Sequence, residues 1–205
     1  MIIKQPVKKI YNLLILDESG SMMSIKQHII EGFNKNTQSV RQAAKKKALQ
    51  QWVNFYSFNS DGLTEQIPVS LTNHLVELND NTYNPDNTTP LYDAIGLSCN
   101  RLRKYLEKEK DYKVLVTILT DGEENSSREY DYAAVVALIQ ALKEEGWLFT
   151  YVGTDHDVEQ TAARLNIKSS ITFKKDDDGV SNFIAHESRR RDAFYNKVIA
   201  CEEVG

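Results

Sequence analysis

Tyr11-Asn-Leu-Leu-Ile-Leu-Asp-Glu-Ser-Gly-Ser21 is a short apolar run that stops abruptly at a polar loop. A run without alternation predicts a strand buried on both faces, the kind found in parallel sheets covered by helices. The pattern returns once. Residues 114–119 (Val-Leu-Val-Thr-Ile-Leu) are again mainly apolar and are followed at once by Thr120-Asp-Gly-Glu-Glu-Asn-Ser-Ser127. Two central strands that end alike place two polar loops at the same end of one sheet.

Working outward, Ile25, Ile29, Ile30, Phe33, Val40 and Ala44 recur at roughly helical spacing and predict a first helix. Residues 51–58 read as a second strand, Asn59-Ser-Asp-Gly62 as a turn, and residues 63–71 as a third strand with Ile67, Val69 and Leu71 alternating. Pro68 removes a ladder donor, which an edge tolerates and a sheet interior does not, so this third strand is expected to be an antiparallel edge. The Asn-, Asp-, Thr- and Pro-rich residues 79–90 read as a loop, with Thr89-Pro90 at the entrance of a helix over 91–106. Helices over 132–142, 158–165 and 181–198 and strands over 147–152 and 170–173 complete the chain.

Strands alternating with helices imply an α/β fold: a doubly wound, Rossmann-like, mainly parallel six-stranded sheet with one antiparallel edge strand, helices on both faces and right-handed crossovers. The 205 residues suit a single domain over 1–205, since two would leave each half short of core. With 41% hydrophobic and 26% charged residues, the composition is that of an ordinary globular protein. A net charge of -4 gives no electrostatic reason to approach nucleic acid. No stretch approaches membrane-spanning length, and no secretory leader is recognised, so no membrane association and a cytoplasmic location are expected. Cys99 and Cys201 lie far apart in helix-like stretches and form neither a zinc cluster nor a redox motif.

In such a sheet ligands bind beyond the carboxyl ends of the strands. The three loops there are rich in hard oxygen donors: Asp17, Ser19 and Ser21 at alternate positions with Gly20 permitting a tight turn, Thr89 before its helix, and Asp121 after the later strand. Hydroxyls and carboxylates without His or Cys are ligands for Mg²⁺ or a similar hard cation, Mn²⁺ or Ca²⁺ included. Two carboxylates leave such an ion incompletely neutralised and coordinated, so an Asp or Glu carboxylate of a protein partner could complete it. That is a binding mechanism, and no catalytic set is recognised.

The pattern Asp17-x-Ser19-x-Ser21, Thr89-Pro90 and Thr120-Asp121-Gly122, in that order and strand context, resembles the metal ion-dependent adhesion site of von Willebrand factor type A domains. The resemblance spans essentially the whole chain, and Thr89-Pro-Leu-Tyr-Asp-Ala94 resembles the form of bacterial members. It implies that Asp17, Ser19, Ser21, Thr89 and Asp121 contact the metal directly or through water. The family often has a glycine pair where this chain has Asn87-Thr88, which makes Thr88 the alternative to Thr89. A free-standing domain of this kind resembles an adaptor or assembly factor, of bacterial or phage type, more than a surface adhesin.

The competing reading is a Mg²⁺-dependent phosphohydrolase. It lacks a second aspartate at position 19, a Walker loop and a GxSxG elbow. Glu18, Glu123 and Glu124 read as a solvated rim, Asp176-Asp-Asp-Gly179 as a solvated turn, and Arg189-Arg-Arg191 as a solvated helix face. His28, His74, His156 and His186 are scattered and carry no catalytic assignment.

Overall fold

The computed structural model describes residues 9–46, 50–154, 157–174, 189–190 and 193–194. Six strands form one sheet: β1 (Lys9–Asp17), β2 (Gln50–Asn59), β3 (Gly62–Leu71), β4 (Tyr112–Thr120), β5 (Leu148–Gly153) and β6 (Ser170–Thr172). Four helices connect or flank them: α1 (Lys26–Lys46), α2 (Leu91–Leu106), α3 (Tyr132–Glu144) and α4 (Val158–Arg164). A 3-10 turn, Gly20–Ile25, leads into α1. The expected closing helix over 181–198 and the Asp176–Gly179 turn fall mostly or wholly outside the described residues.

The strand order is β3-β2-β1-β4-β5-β6, all parallel except β3, which pairs antiparallel with β2. The expected α/β architecture with an antiparallel edge is therefore the one observed. Alternating residues of the central strands divide two cores. Leu13, Ile15, Val116, Ile118 and Tyr151 pack with α2, α3 and α4 on one face. Leu14, Leu16, Leu119 and Val152 belong to the other, with α1 and the loop residues Leu75, Leu78 and Tyr83. Burial on both sides explains why these strands carry no polar alternation.

At the edge, the sequence alternation of β3 does not translate into one face. The register slips between Val53 and Phe55 and again between Phe55 and Tyr56. Ile67 consequently packs on the α1 side, whereas Leu63 and Val69 pack on the α2 side. The irregularity lies beside Pro68, which has no amide to donate. The buried Asn54 side chain bridges the gap, donating to the Ile67 carbonyl and to Glu65 Oε1, both at 2.9 Å. A bulge at a proline on an edge strand is where such a break costs least.

The winding reverses between β1 and β4: the chain steps from β1 outward to β2 and β3, then returns through α2 to the other side of β1. At that switch point the carboxyl ends of β1 and β4 are adjacent, with Leu16 opposite Leu119. Loops that leave these two ends must diverge, and the crevice between them is the position at which this class of sheet binds its ligands.

Candidate metal centre

Asp17 is the last residue of β1 and is fully buried, at 0% exposure. Its Oδ1 accepts a hydrogen bond from the Ser19 amide (2.8 Å) and its Oδ2 one from the Thr120 hydroxyl (2.5 Å). Burial pushes its carboxyl up to about 6; the bonds from Thr120 and Ser19 oppose that rise, and the neighbouring Asp121 charge adds to it. A carboxylate placed so is short of positive charge. Behind it, the buried Tyr83 hydroxyl donates to the Asp17 carbonyl at 2.7 Å, and burial holds that phenol well above its usual range.

The 3-10 turn brings Ser19 and Ser21 side by side, with their hydroxyl oxygens 3.2 Å apart. Ser21 Oγ in turn donates to Asp121 Oδ1 at 2.6 Å, joining the first loop to the loop after β4. Gly20 allows a close approach at this bend: its amide donates to the Asn87 carbonyl at 2.9 Å, and a Cβ there would lie a tight 3.3 Å from that same oxygen. Asn87 itself takes a left-handed conformation, φ 68°, a backbone region that asparagine tolerates better than most residues.

Thr89 reaches the same point from the third direction. A Cβ on Gly122 would lie 3.6 Å from both Ser21 Oγ and Thr89 Oγ1, which puts the two hydroxyls around one small space. Thr88 points elsewhere: it is exposed, and its hydroxyl donates to Ser126 Oγ at 2.9 Å. Between the two threonines, the geometry brings Thr89 to the cluster. Asp17, Ser19, Thr89 and Asp121 are 0, 1, 3 and 6% exposed, whereas Ser21 is exposed, so the cluster opens to solvent on the Ser21 side.

The donor set suits a small hard cation. Adjacent ligands of an octahedral Mg²⁺ lie about 2.9 Å apart, close to the 2.6 and 3.2 Å oxygen separations around Ser21. Among the described residues, no group of three or more His, Cys, Asp or Glu side chains could hold a metal. The two carboxylates and three hydroxyls form an all-oxygen cluster of low formal charge.

No family model matches the chain, and no curated protein does. Solved structures do match in fold. The open conformation of the pilus adhesin SpaC from Lactobacillus rhamnosus GG superposes with TM-score 0.66 at 15% identity, over 91% of this chain and 30% of that one. Manganese-loaded TRAP protein of Plasmodium vivax gives 0.56 at 18% identity, over 86% and 72%. The SpRpn10 VWA domain gives 0.53 at 9% identity, over 87% and 94%. The fold is that of a von Willebrand factor type A domain. Of the larger proteins it matches, this von Willebrand factor A-like chain spans less than half, 30% of the adhesin and 46% of a thread matrix protein from the mussel byssus.

Within the von Willebrand factor A-like frame, sequence reading missed the residues that fix the loops. Glu124 is not a solvated rim residue: Oε1 accepts from the Ser126 and Ser127 amides (2.7 Å each), and Oε2 from the Ser127 hydroxyl (2.6 Å) and the Tyr92 amide (2.8 Å). Asp93 accepts from the amides of Arg128, Glu129 and Tyr130 at 2.7–2.9 Å. Asn125 grips Thr89 twice, its side chain accepting from the Thr89 amide (2.8 Å) and its amide donating to the Thr89 carbonyl (3.1 Å). Glu18 is half-buried and accepts from the Asn84 amide (2.8 Å), while Glu123 is exposed as expected. The only local signal was the short spacing from Glu124 to Ser126 and Ser127, a pattern of side-chain acceptors turning back on the following amides.

Away from the site, Arg189 is exposed and Arg190 donates to Ser169 Oγ at 3.3 Å. Cys99 is buried, and burial pushes its thiol up to about 12, the behaviour of an inert core residue. No helix among the described residues is long and apolar enough to cross a membrane.

Proposed function

We propose that this chain is a divalent-metal-dependent protein-binding module, an adaptor or assembly factor, in which Asp17, Ser19, Ser21, Thr89 and Asp121 hold Mg²⁺, Mn²⁺ or Ca²⁺. One observation carries the reading: three loops from separate parts of the sequence bring five hard oxygen donors around one point that, among the described residues, opens beside the exposed Ser21. The metal would supply an electrophilic, incompletely neutralised centre. The protein's own residues orient it, exclude water from the Asp17 side and leave the Ser21 side for an acidic side chain of a partner.

The solved relatives support a binding role in general terms, since one is a pilus adhesin and another carries manganese. The reading of binding rather than turnover is supported by the donor set of this chain, in which the Ser21 and Thr120 hydroxyls are held by the two carboxylates around one point. Titration of EDTA-treated protein with magnesium and manganese by calorimetry tests the site. Saturable binding in the wild type and its loss in Asp17→Ala are expected. Equal binding by both proteins would refute the ligand set.

A further inference from the structure

We propose that Glu124 is a positioning residue that makes the Asp121 loop and the Thr89–α2 segment one rigid unit, and thereby sets the preference of the site for magnesium over calcium. The inference rests on the reading of Thr89 and Asp121 as metal ligands.

The helix α2 has no side-chain cap from its own N-cap residue. The first amides of α2 have no intrahelical acceptor, and its N-cap residue, Pro90, has no side-chain acceptor to offer. The missing acceptors come from another loop. Glu124 Oε2 accepts from the Tyr92 amide (2.8 Å) and Ser127 Oγ from the Asp93 amide (3.1 Å). A carboxylate at this end also meets the positive pole of the helix. The other oxygen of Glu124 folds its own loop by accepting from Ser126 and Ser127. One side chain thus serves the helix that follows Thr89 and the loop that follows Asp121.

Neighbouring bonds reinforce the same joint. Asn125 clasps both backbone polar groups of Thr89, and Asp93 returns three bonds from α2 to residues 128–130. By contrast, Ser21 to Asp121 and Thr120 to Asp17 join this unit to the first loop through the donors. The separation between Thr89 and Asp121 is therefore set by the clasp, not by the metal. Magnesium requires near-ideal octahedral geometry, whereas calcium accepts longer and less regular coordination. A clasp that fixes two ligands in advance favours the more demanding ion.

Glutamine at 124 replaces one acceptor oxygen with an amide that cannot accept from Tyr92. Calorimetric titration of the full chain with Mg²⁺ and, separately, Ca²⁺ is expected to show about a tenfold loss of magnesium affinity in Glu124→Gln, the usual scale for removing an outer-shell partner, with calcium affinity changed less than about twofold. Ser127→Ala, which removes one bond to Oε2 and the acceptor of the Asp93 amide while leaving Glu124 on the Tyr92 amide, keeps the fold available for measurement should Glu124→Gln not fold, and moves the Mg/Ca ratio in the same direction by less. Glu123→Gln makes the same charge change on an exposed neighbour and is expected to leave both affinities at wild-type values.

Equal losses of both ions in Glu124→Gln and Ser127→Ala would overturn the proposal by reducing the clasp to general fold stability. An equal shift in Glu123→Gln would overturn it by making loop charge the cause. An unchanged ratio in Glu124→Gln beside normal wild-type binding would defeat the positioning role alone, whereas absence of metal binding by the wild type would defeat the underlying ligand reading as well.

Discussion

The two acidic loops at the top of the sheet are built in opposite ways. The loop after β1 places its carboxylate, Asp17, inside the protein and anchors the turn through backbone contacts: Gly20 to Asn87, and Asp86 to the Glu18 carbonyl. The loop after β4 leaves much of its backbone near solvent and fixes it with side-chain carboxylates, Glu124 from within and Asp93 from α2. The first arrangement puts unneutralised charge where water cannot reach it. The second puts charge where helix and loop amides already satisfy it. The Asp17 side therefore carries the charge that the proposed cation would neutralise, while the other side supplies geometry.

That contrast is broken most severely at Asp17. Asp17→Asn is expected to reduce magnesium affinity at least about a hundredfold, measured by calorimetry, yet to stabilise the metal-free protein at pH 8. The sign follows from the direction of the shift: with a carboxyl raised from 3.8 to about 6, the stability associated with Asp17 is fully present below pH 3.8 and is lost as pH rises through 6. At pH 8 the ionised group then costs the metal-free fold about 3 kcal/mol. Urea melts in EDTA at pH 5 and pH 8 should show a wild-type decrease that the asparagine variant lacks. The same linkage predicts that added magnesium stabilises the wild type more at pH 8 than at pH 5.

The clasp can be attacked from its far side. A Cβ at Gly96 on α2 would stand 2.6 Å from the Tyr130 ring, whose hydroxyl accepts from Asn100. Gly96→Ala is expected to displace Tyr130 and cost about 1–3 kcal/mol in denaturant melts, with weaker magnesium binding as the loop loosens. Smaller effects separate the two threonines. Thr89→Ala should lower magnesium affinity about tenfold, whereas Thr88→Ala, which loses only an exposed bond to Ser126, should leave it unchanged. A reversed outcome in calorimetry would exchange their roles.

The contrast also explains what could be read in advance. Strands buried on both faces must be continuously apolar, so β1 and β4, the position of the crevice and the donors flanking it were legible from residues 11–21 and 114–121. Thr89 was approachable because Thr-Pro at a helix entrance is locally recognisable, although only the exposed orientation of Thr88 separates the pair. Glu124, Asn125 and Asp93 were not legible. Glu124 has near partners in Ser126 and Ser127, but the α2, Thr89 and 128–130 amides that these three residues hold lie more than thirty residues away, and in sequence they resemble any polar loop or helix start. Nor could alternation reveal that Ile67 and Val69 face opposite sides, because one missing amide at Pro68 shifts the register.

That defect at the sheet margin has a consequence for how the molecule meets its neighbours. An intact edge strand offers an uninterrupted row of donors and acceptors on which another chain can add itself. In β3 the row lacks the Pro68 donor and is kinked by two register slips. Strand-upon-strand addition along this margin is disfavoured, and the margin lies apart from the loop end of the sheet.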